Sequence, residues 1–169
     1  MTTRRQLSLF VPVAEGAQLE KVRHELDPVQ AALIPAHVTL CREDEIDQLS
    51  VSEIKARLQR SAAKPLTLSF GSPVIFQGHG LLLPCVAGER EFHELRTHLL
   101  GTTAIRRHAP HITLAHPRNP ASTNRTLSDV IGLPYTLSYR FVAITSIEQV
   151  GGANWRVLRE FMLTSRPVG

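Results

Sequence analysis

The sequence predicts an α+β fold in which duplicated βαβ-type lobes, related by a pseudo-twofold axis, place antiparallel sheets on either side of a central cleft. Two observations predict it. The same series of apolar and amphipathic segments occurs twice, in the same order, within 169 residues. Each series contains a strand-like run with the pattern His-x-Thr-Leu, at 37–40 in the first copy and 111–114 in the second. The length suits a single domain, residues 1–169, made of the two lobes.

Matching segments define the elements of each copy in order. An apolar strand comes first, followed by a short amphipathic helix, the His-x-Thr strand and a later strand. The matching pairs are "LFVPVAEG" with "LLLPCVAG", "LEKVRHEL" with "FHELRTHL", "PAHVTL" with "APHITL", and "PLTLSF" with "PYTLSY". Their offsets are 72, 73, 74 and 69 residues, and the first pair aligns Pro12 with Pro84. These offsets indicate a duplication with few insertions.

The remaining predicted elements are one further helix in each copy and a closing hairpin. In the first copy, "DEIDQLSVSEIKARLQRSA" has an acidic start and an apolar stripe, which predict one helix. In the second, "STNRTLSDVIG" predicts a shorter helix that is capped by Ser122 or Thr123 and ends at Gly132. Segments 135–150 and 154–164 predict a hairpin around "GGAN".

The composition limits the class of protein. No secretory signal pattern is present near the start, and no apolar run approaches the roughly 20 residues that span a bilayer, so we expect a cytoplasmic protein. We also expect a monomer. Cys41 and Cys85 lack the spacing of a zinc site or a disulfide framework and are interpreted as buried, reduced thiols. The net charge of +4 comes from 16 Arg and 3 Lys against 15 acidic residues, which is compatible with a phosphate-bearing ligand.

The repeated motif places an imidazole beside a hydroxyl. Alternate side chains of a strand share a face, so His37 lies with Thr39, and His111 lies with Thr113. The next residues on that face are small in both copies: Cys41 and Ala115. The pattern therefore predicts room for a ligand beyond each threonine.

A pseudo-twofold axis that brings the two strands together would place two imidazoles across one cleft. Near neutral pH one imidazole can accept a proton while the other donates one, and the threonine hydroxyls can donate to phosphate oxygens. The motifs therefore predict a metal-free phosphodiester-cleaving site that requires both copies and no cofactor. On the residues alone, the two histidine roles are interchangeable.

Other histidines favour no second site. His108, His111 and His116 are spaced by three and then five residues, which fits no familiar metal-ligand pattern. His93 and His98 are five apart on a predicted helix and are interpreted as surface residues.

Residues that contact substrate are less sharply indicated. The candidate aromatic contacts for a nucleobase are Phe10, Phe76, Tyr139 and Trp155, and Phe10 is chosen because it alternates with apolar neighbours on the first strand. Arg118 and then Arg42 are the predicted phosphate contacts. A solvated surface position is the competing interpretation for either arginine.

The tetrapeptides "HVTL" and "HITL" resemble the paired H-x-[S/T]-x motifs of the 2H phosphoesterase superfamily. The order of elements is most similar to its bacterial and archaeal 2′-5′ RNA ligase and cyclic phosphodiesterase branch. The resemblance implies hydrolysis of 2′,3′-cyclic phosphodiesters to 2′-phosphates, and reversible 2′-5′ joining of RNA in some members. It also implies that His37 is the proton donor, His111 the proton acceptor, and Thr39 and Thr113 the phosphate ligands.

The chain departs from this family pattern in the segments after the motifs, "CRED" and "AHPR". Substrate preference would be set there, so the resemblance implies RNA ends or nucleotides without choosing between them. The alternative function is a non-catalytic nucleotide- or RNA-binding protein that uses the same cleft.

Overall fold

The computed structural model of the protein describes residues 1–76, 80–119 and 124–164. The strands are β1 (Thr3–Phe10), β2 (His37–Cys41), β3 (Leu66–Phe70), β4 (Val74–Phe76), β5 (Gly80–Ala87), β6 (His111–Ala115), β7 (Leu137–Phe141), β8 (Ala143–Val150) and β9 (Arg156–Met162). The helices are α1 (Ala17–Leu26), α2 (Pro28–Leu33), α3 (Glu43–Ile46), α4 (Val51–Ser61) and α5 (Glu89–Leu100). A 3₁₀ turn spans Leu127–Asp129. No helix in these ranges has the length and apolar character needed to cross a membrane.

The strands form two antiparallel sheets, as the α+β prediction requires. The first has the order β2-β1-β8-β9. In the second, β5 pairs with β3, β4 and β6, and β3 also pairs with β7. Leu7 and Leu9 of β1 are fully buried, and their counterparts Leu81 and Leu83 of β5 are also buried. The first strand of each copy therefore supplies the core of the sheet that carries its motif.

Each sheet contains strands from both copies of the repeat. β4 closes the first copy but pairs with β5, the first strand of the second copy. β8 belongs to the second copy but pairs with β1, the first strand of the chain. Because these late strands are exchanged, neither copy can complete its own sheet. The repeat in the sequence does not reveal this exchange, since it fixes the order of elements and not their pairing.

The strand register corrects the alignment of the two opening strands. Phe10 lies opposite His37, and Pro84 lies opposite His111. Phe10 therefore corresponds to Pro84, at an offset of 74 residues, and the sequence alignment of Pro12 with Pro84 is wrong by two residues. A shift of two keeps every side chain on the same face of its strand, so the apolar pattern alone could not detect it.

The predicted apolar helix faces are confirmed, with small changes in helix length. The buried apolar side chains of α1 are Leu19, Val22 and Leu26, and those of α5 are Phe92, Leu95 and Leu99. The prediction of one helix for the acidic segment of the first copy is wrong, because this segment forms two helices, α3 and α4. Ser50 starts the second piece by accepting from the Glu53 backbone N–H, while the Glu53 carboxylate accepts from the Ser50 N–H.

Residues 124–132 of the second copy form no full helix at the corresponding place. The described part of that segment contains only the 3₁₀ turn, which starts where the Asp129 carboxylate accepts from the Thr126 backbone N–H. The predicted caps Ser122 and Thr123 lie outside the described residues. The closing hairpin is confirmed for β8 and β9, and its turn contains Gly151 and Gly152 at positive φ. Its predicted first arm is in fact two strands, β7 and β8, which belong to different sheets.

Candidate active site

The two His-x-Thr motifs form β2 and β6, and these two strands contact each other between the sheets. In both strands the histidine and threonine are half-buried while the residues between and after them are buried in the core. The half-buried side chains are His37, Thr39, His111 and Thr113. The structure thus brings together, on two adjoining strands, the four residues that the sequence predicted to be catalytic.

A β-bulge follows the threonine in both motifs. Thr39 lies opposite Ser8, but the next paired residues are Cys41 and Leu7, which leaves Leu40 as the extra residue. The same shift occurs in β6, where Ala115 lies opposite Leu81. Bulges re-aim the side chains beyond them. The prediction that Cys41 and Ala115 continue the polar face is therefore wrong, since both are buried in the core.

Both histidine rings are held in the same way. The Nδ1 atom of His37 lies 2.8 Å from the Pro35 carbonyl oxygen, and Nδ1 of His111 lies 2.9 Å from the Ala109 carbonyl oxygen. A carbonyl oxygen only accepts hydrogen bonds, so Nδ1 carries the proton in each ring. Proton exchange with a ligand therefore falls to Nε2 in both copies.

The surroundings of His37 favour its neutral form. Burial lowers the pKa of His37 from 6.5 to about 4, although the hydrogen bond to the Pro35 carbonyl opposes this. The positive charge of Arg23 and the proximity of His111 lower the pKa further. A neutral imidazole with its proton on Nδ1 presents a lone pair at Nε2. In the free protein His37 is therefore a proton acceptor at neutral pH, whereas the family resemblance assigns it the donor role.

A third histidine contacts the backbone of the first motif. His108 Nε2 lies 3.2 Å from the Thr39 carbonyl oxygen, and its ring packs edge-on against Phe92. Burial lowers the pKa of His108 to about 4, so it is neutral and donates from Nε2 to that carbonyl. His108 therefore acts as a structural donor. Among the described residues, no three His, Cys, Asp or Glu side chains form a candidate metal site.

The neighbours of the two motifs differ although the motifs match. The Phe10 ring lies 5.8 Å from the His37 ring, centroid to centroid, at an interplanar angle of 44°. Across from His111 the corresponding residue is Pro84. The paired hydroxyls of Thr39 and Ser8 likewise have no hydroxyl counterpart beside Thr113, which lies opposite Leu82. The first motif thus lies opposite Phe10 and Ser8, and the second lies opposite Pro84 and Leu82.

Of the predicted aromatic contacts, only some reach this region. Tyr139 is buried, and Trp155 directly precedes β9 of the first sheet, with the Arg4 guanidinium carbon 5.5 Å from its ring centroid. Phe76 is exposed and lies opposite Gly80, on the face of β5 that also carries Leu82. Phe10 therefore has the strongest geometric support, and Phe76 is the next candidate.

The predicted phosphate contacts flank the motif strands. Arg42 is exposed directly after β2, where its backbone N–H donates to the Glu45 carboxylate at 2.9 Å. Arg118 is exposed in the turn after β6, where its backbone N–H donates to His116 Nδ1 at 3.2 Å. Their roles toward phosphate stay predictions.

The interpretations of the remaining histidine and cysteine residues are partly wrong. His93 is buried, packs edge-on against Phe92 and lies 3.3 Å from the Glu89 carboxylate, whereas His98 is exposed as predicted. Cys41 is buried, which raises its pKa to about 12. Cys85 is only half-buried, and its thiol donates to the Ala87 carbonyl oxygen. Both cysteines are free thiols, and burial raises both thiol pKa values.

Sequence reasoning missed the buried charged residues that support the motif strands. Asp27 is 1% exposed and accepts from the His116 backbone N–H at 2.7 Å and from the Asn119 side-chain amide at 2.8 Å. It therefore ties the segment after the second motif to the start of α2. Arg23 and Arg96 are also buried. The sequence could have indicated these two arginines, because "LEKVRHEL" and "FHELRTHL" place them at the same position of the repeat.

Comparisons with known proteins agree with this geometry. The model of the 2′-5′ RNA ligase superfamily matches residues 11–130. The chain is similar to E. coli LigT in its crystal structure with NADP+, at 17% identity and a TM-score of 0.64, over 97% of this chain and 99% of that one. It is also similar to a crystal structure described as a phosphoesterase, at 18% identity and a TM-score of 0.61, over 97% and 99% of the two chains.

A further similar structure is TT0787 of Thermus thermophilus, at 19% identity and a TM-score of 0.60, over 95% of this chain and 97% of that one. At these identities the likeness establishes a shared fold. No curated protein sequence matches the chain.

Proposed function

Since the chain belongs to the 2′-5′ RNA ligase superfamily, a superfamily of 2H phosphoesterases, we propose that it hydrolyses 2′,3′-cyclic phosphodiesters of RNA or nucleotides to 2′-phosphates without a metal ion. The observation that carries this proposal is the contact between β2 and β6. Two imidazoles with identical Nδ1 hydrogen bonds lie on these contacting strands, each beside a threonine hydroxyl. The LigT complex with NADP+ supports a nucleotide-type ligand.

The proposed reaction is a single in-line displacement at phosphorus. Nε2 of His111 accepts a proton from water as the water oxygen forms a bond to phosphorus. The bond between phosphorus and O3′ breaks, and O3′ takes a proton from Nε2 of His37, which leaves a 2′-phosphate and a 3′-hydroxyl. Thr39 and Thr113 donate to the non-bridging oxygens, where negative charge increases in the transition state. Each proton transfer contributes ~10²–10⁴-fold to the rate.

The low pKa of His37 is compatible with the donor role once substrate is bound. An anionic phosphodiester beside the ring stabilises the imidazolium form and raises the pKa of His37 from about 4. Protonation is then coupled to binding, so His37 becomes an acid only in the complex. With a ribose 5′-hydroxyl in place of water, the same displacement forms a 2′-5′ phosphodiester and joins two RNA ends. Cleavage of that linkage by the 3′-hydroxyl is the reverse of this step and exchanges the two histidine roles.

One assay tests the proposal. The protein is incubated in excess chelator with 2′,3′-cyclic nucleotides, RNA that ends in a cyclic phosphate, and 2′-5′ linked dimers. We expect turnover to 2′-phosphates that falls by at least ~10²-fold in His37→Ala and in His111→Ala. His98→Ala, which removes an exposed imidazole from α5, serves as the matched control and should retain full activity. Nucleotide binding without turnover in the unaltered protein would instead support the non-catalytic alternative.

A further inference from the structure

Two buried arginines occupy equivalent positions in the two copies. Arg23 lies on α1 and Arg96 on α5, 73 residues apart, with exposed fractions of 1% and 0%. A guanidinium remains charged in proteins and is costly to bury unless its donors find acceptors. Both nitrogens at the end of each side chain have acceptors, and the buried Nε of Arg96 has none. The acceptors that these two side chains use therefore indicate what they do.

Each arginine donates to the motif strand of the other copy. Arg23, in the first copy, donates from Nε to the Thr113 carbonyl oxygen of β6 at 3.1 Å. Arg96, in the second copy, donates from Nη1 to the Leu40 carbonyl oxygen of β2. The two contacts are reciprocal, so the helix of each copy holds the catalytic strand of the opposite copy.

The second nitrogen of each guanidinium binds the segment that leads to the histidine of its own copy. Arg23 Nη2 donates to the Ile34 carbonyl oxygen at 3.0 Å, three residues before His37. Arg96 Nη2 donates to the Arg106 carbonyl oxygen at 2.8 Å, five residues before His111. A guanidinium is rigid and planar, so it holds its two acceptors at a fixed separation. Each arginine thus fixes one histidine segment relative to the opposite threonine strand.

A carboxylate orients each guanidinium. Glu20 accepts from Arg23 Nη1 at 2.7 Å, and Glu45 accepts from Arg96 at 2.6 and 3.1 Å. Glu20 also accepts from the Ala36 backbone N–H, directly before His37. Glu45 lies on α3, in the first copy, so its pairing with Arg96 adds a second link between the copies.

We infer that Arg23 and Arg96 are positioning residues that set the separation and orientation of the two imidazoles around one phosphate. This inference rests on the proposed function of the same site. Neither arginine needs to touch substrate, because each acts through the backbone of a motif strand. A displacement of about 1 Å in catalytic groups can lower a rate by ~10²-fold, so the loss of one clamp should be felt in the chemical step.

The test replaces each arginine by lysine, which keeps the charge but has a single nitrogen in place of the rigid planar fork that holds two carbonyls at a fixed separation. For hydrolysis of a 2′,3′-cyclic nucleotide, we expect Arg23→Lys and Arg96→Lys each to lower kcat by ~10²-fold while KM changes by less than about threefold. The double variant should lose little more than either single one, because both clamps hold the same spacing. Arg57→Lys is the matched control and should keep its kcat, since Arg57 donates to the Leu99 carbonyl oxygen of α5, away from both motif strands.

Folding and function are separated by two further measurements. Should the lysine variants fail to fold, Glu20→Gln weakens the Arg23 clamp at a carboxylate that is 29% exposed, and kcat should again fall with KM unchanged. Folded Arg23→Lys and Arg96→Lys with unchanged kcat would overturn the inference while leaving the proposed function in place.

The absence of turnover in the unaltered protein would overturn the proposed function instead. In that case, a titration with inorganic phosphate, monitored by NMR of the histidine rings, tests the positioning role of the arginines. We expect both rings to respond with a single Kd, and that Kd to rise by at least about tenfold in Arg23→Lys. An unchanged Kd there would overturn the positioning role.

Discussion

At the scale of single residues, the two catalytic candidates share one hydrogen-bond pattern but differ in surroundings. The Nδ1 atoms of His37 and His111 both bind the carbonyl oxygen two residues earlier, which fixes the same tautomer in both rings. The His37 ring packs against that of Phe10, whereas Pro84 lies opposite His111. The pKa of His37 is lowered to about 4 by burial. Because this folded-state pKa lies below the ordinary 6.5, the unfolded chain binds more protons between these values, and stability is lost as the pH falls from about 6.5 to about 4.

The protonation of His37 gives a prediction at this scale. In a ¹⁵N NMR titration of the free protein, the His37 ring should stay neutral until the pH approaches about 4. Saturating inorganic phosphate should raise this midpoint, because a nearby anion stabilises imidazolium. The urea-unfolded chain is the control, in which histidine titrates near about 6.5. A midpoint between about 6 and 7 in the folded, phosphate-free protein would contradict the prediction.

At the scale of elements, backbone geometry controls where the site residues point. The paired bulges in β2 and β6 turn Cys41 and Ala115 into the core directly after each threonine. The start of α5 depends on a similar local feature. Gly88 begins this helix at φ +92°, and a Cβ there would lie 2.3 Å from the Thr67 carbonyl oxygen of β3. A glycine is required there both for its backbone conformation and for the close approach of β3.

Gly88→Ala and Gly152→Ala separate these two causes. Gly152 has φ +79°, and a Cβ there would meet nothing within 4 Å, so its replacement adds only backbone strain of about 1 kcal/mol. Gly88→Ala adds the clash with Thr67, and we expect it to lower the free energy of unfolding by about 3 kcal/mol. Urea denaturation of both variants measures the difference. Equal losses would show that β3 moves away from the new methyl group without cost.

At the scale of the whole molecule, the two copies are interlocked. β4 and β8 each complete the sheet of the opposite copy, and Arg23 and Arg96 each hold the opposite motif strand. The site lies where the copies meet, so it exists only when both are folded. One apolar cluster contains core residues of both sheets and of α1, α4 and α5. We expect these features to make folding cooperative across the whole chain.

Separate production of the two copies tests this interlocking. A fragment of residues 1–79 lacks β8 and β9, so β1 would have an unpaired edge and exposed apolar side chains. We expect this fragment alone to show no cooperative urea unfolding by circular dichroism. Mixing it with a fragment of residues 80–169 should restore a cooperative transition. A sharp transition from either fragment alone would contradict the interlocked fold.

The sequence by itself determined the parts of this protein that depend on local pattern. The alternation of His-x-Thr-Leu placed the imidazoles and hydroxyls on one face and their neighbours in the core, and the spacing of apolar residues predicted α1 and α5. Duplication identified the two motifs as partners. The break between α3 and α4 was also readable in retrospect, because Ser50 and Glu53 form a capping box.

Tertiary structure alone decided how these parts meet. A repeat specifies the order of strands, but the pairing of β4 with β5 and of β8 with β1 depends on contacts between distant residues. Strand register decided two further features: the bulges after Thr39 and Thr113, and the correspondence of Pro84 with Phe10 in the other copy. An alternating pattern does not record register. The roles of Arg23 and Arg96 required three dimensions for the same reason. A buried charge is explained only by the acceptors that surround it, and for each arginine these include a carbonyl oxygen on the motif strand of the other copy.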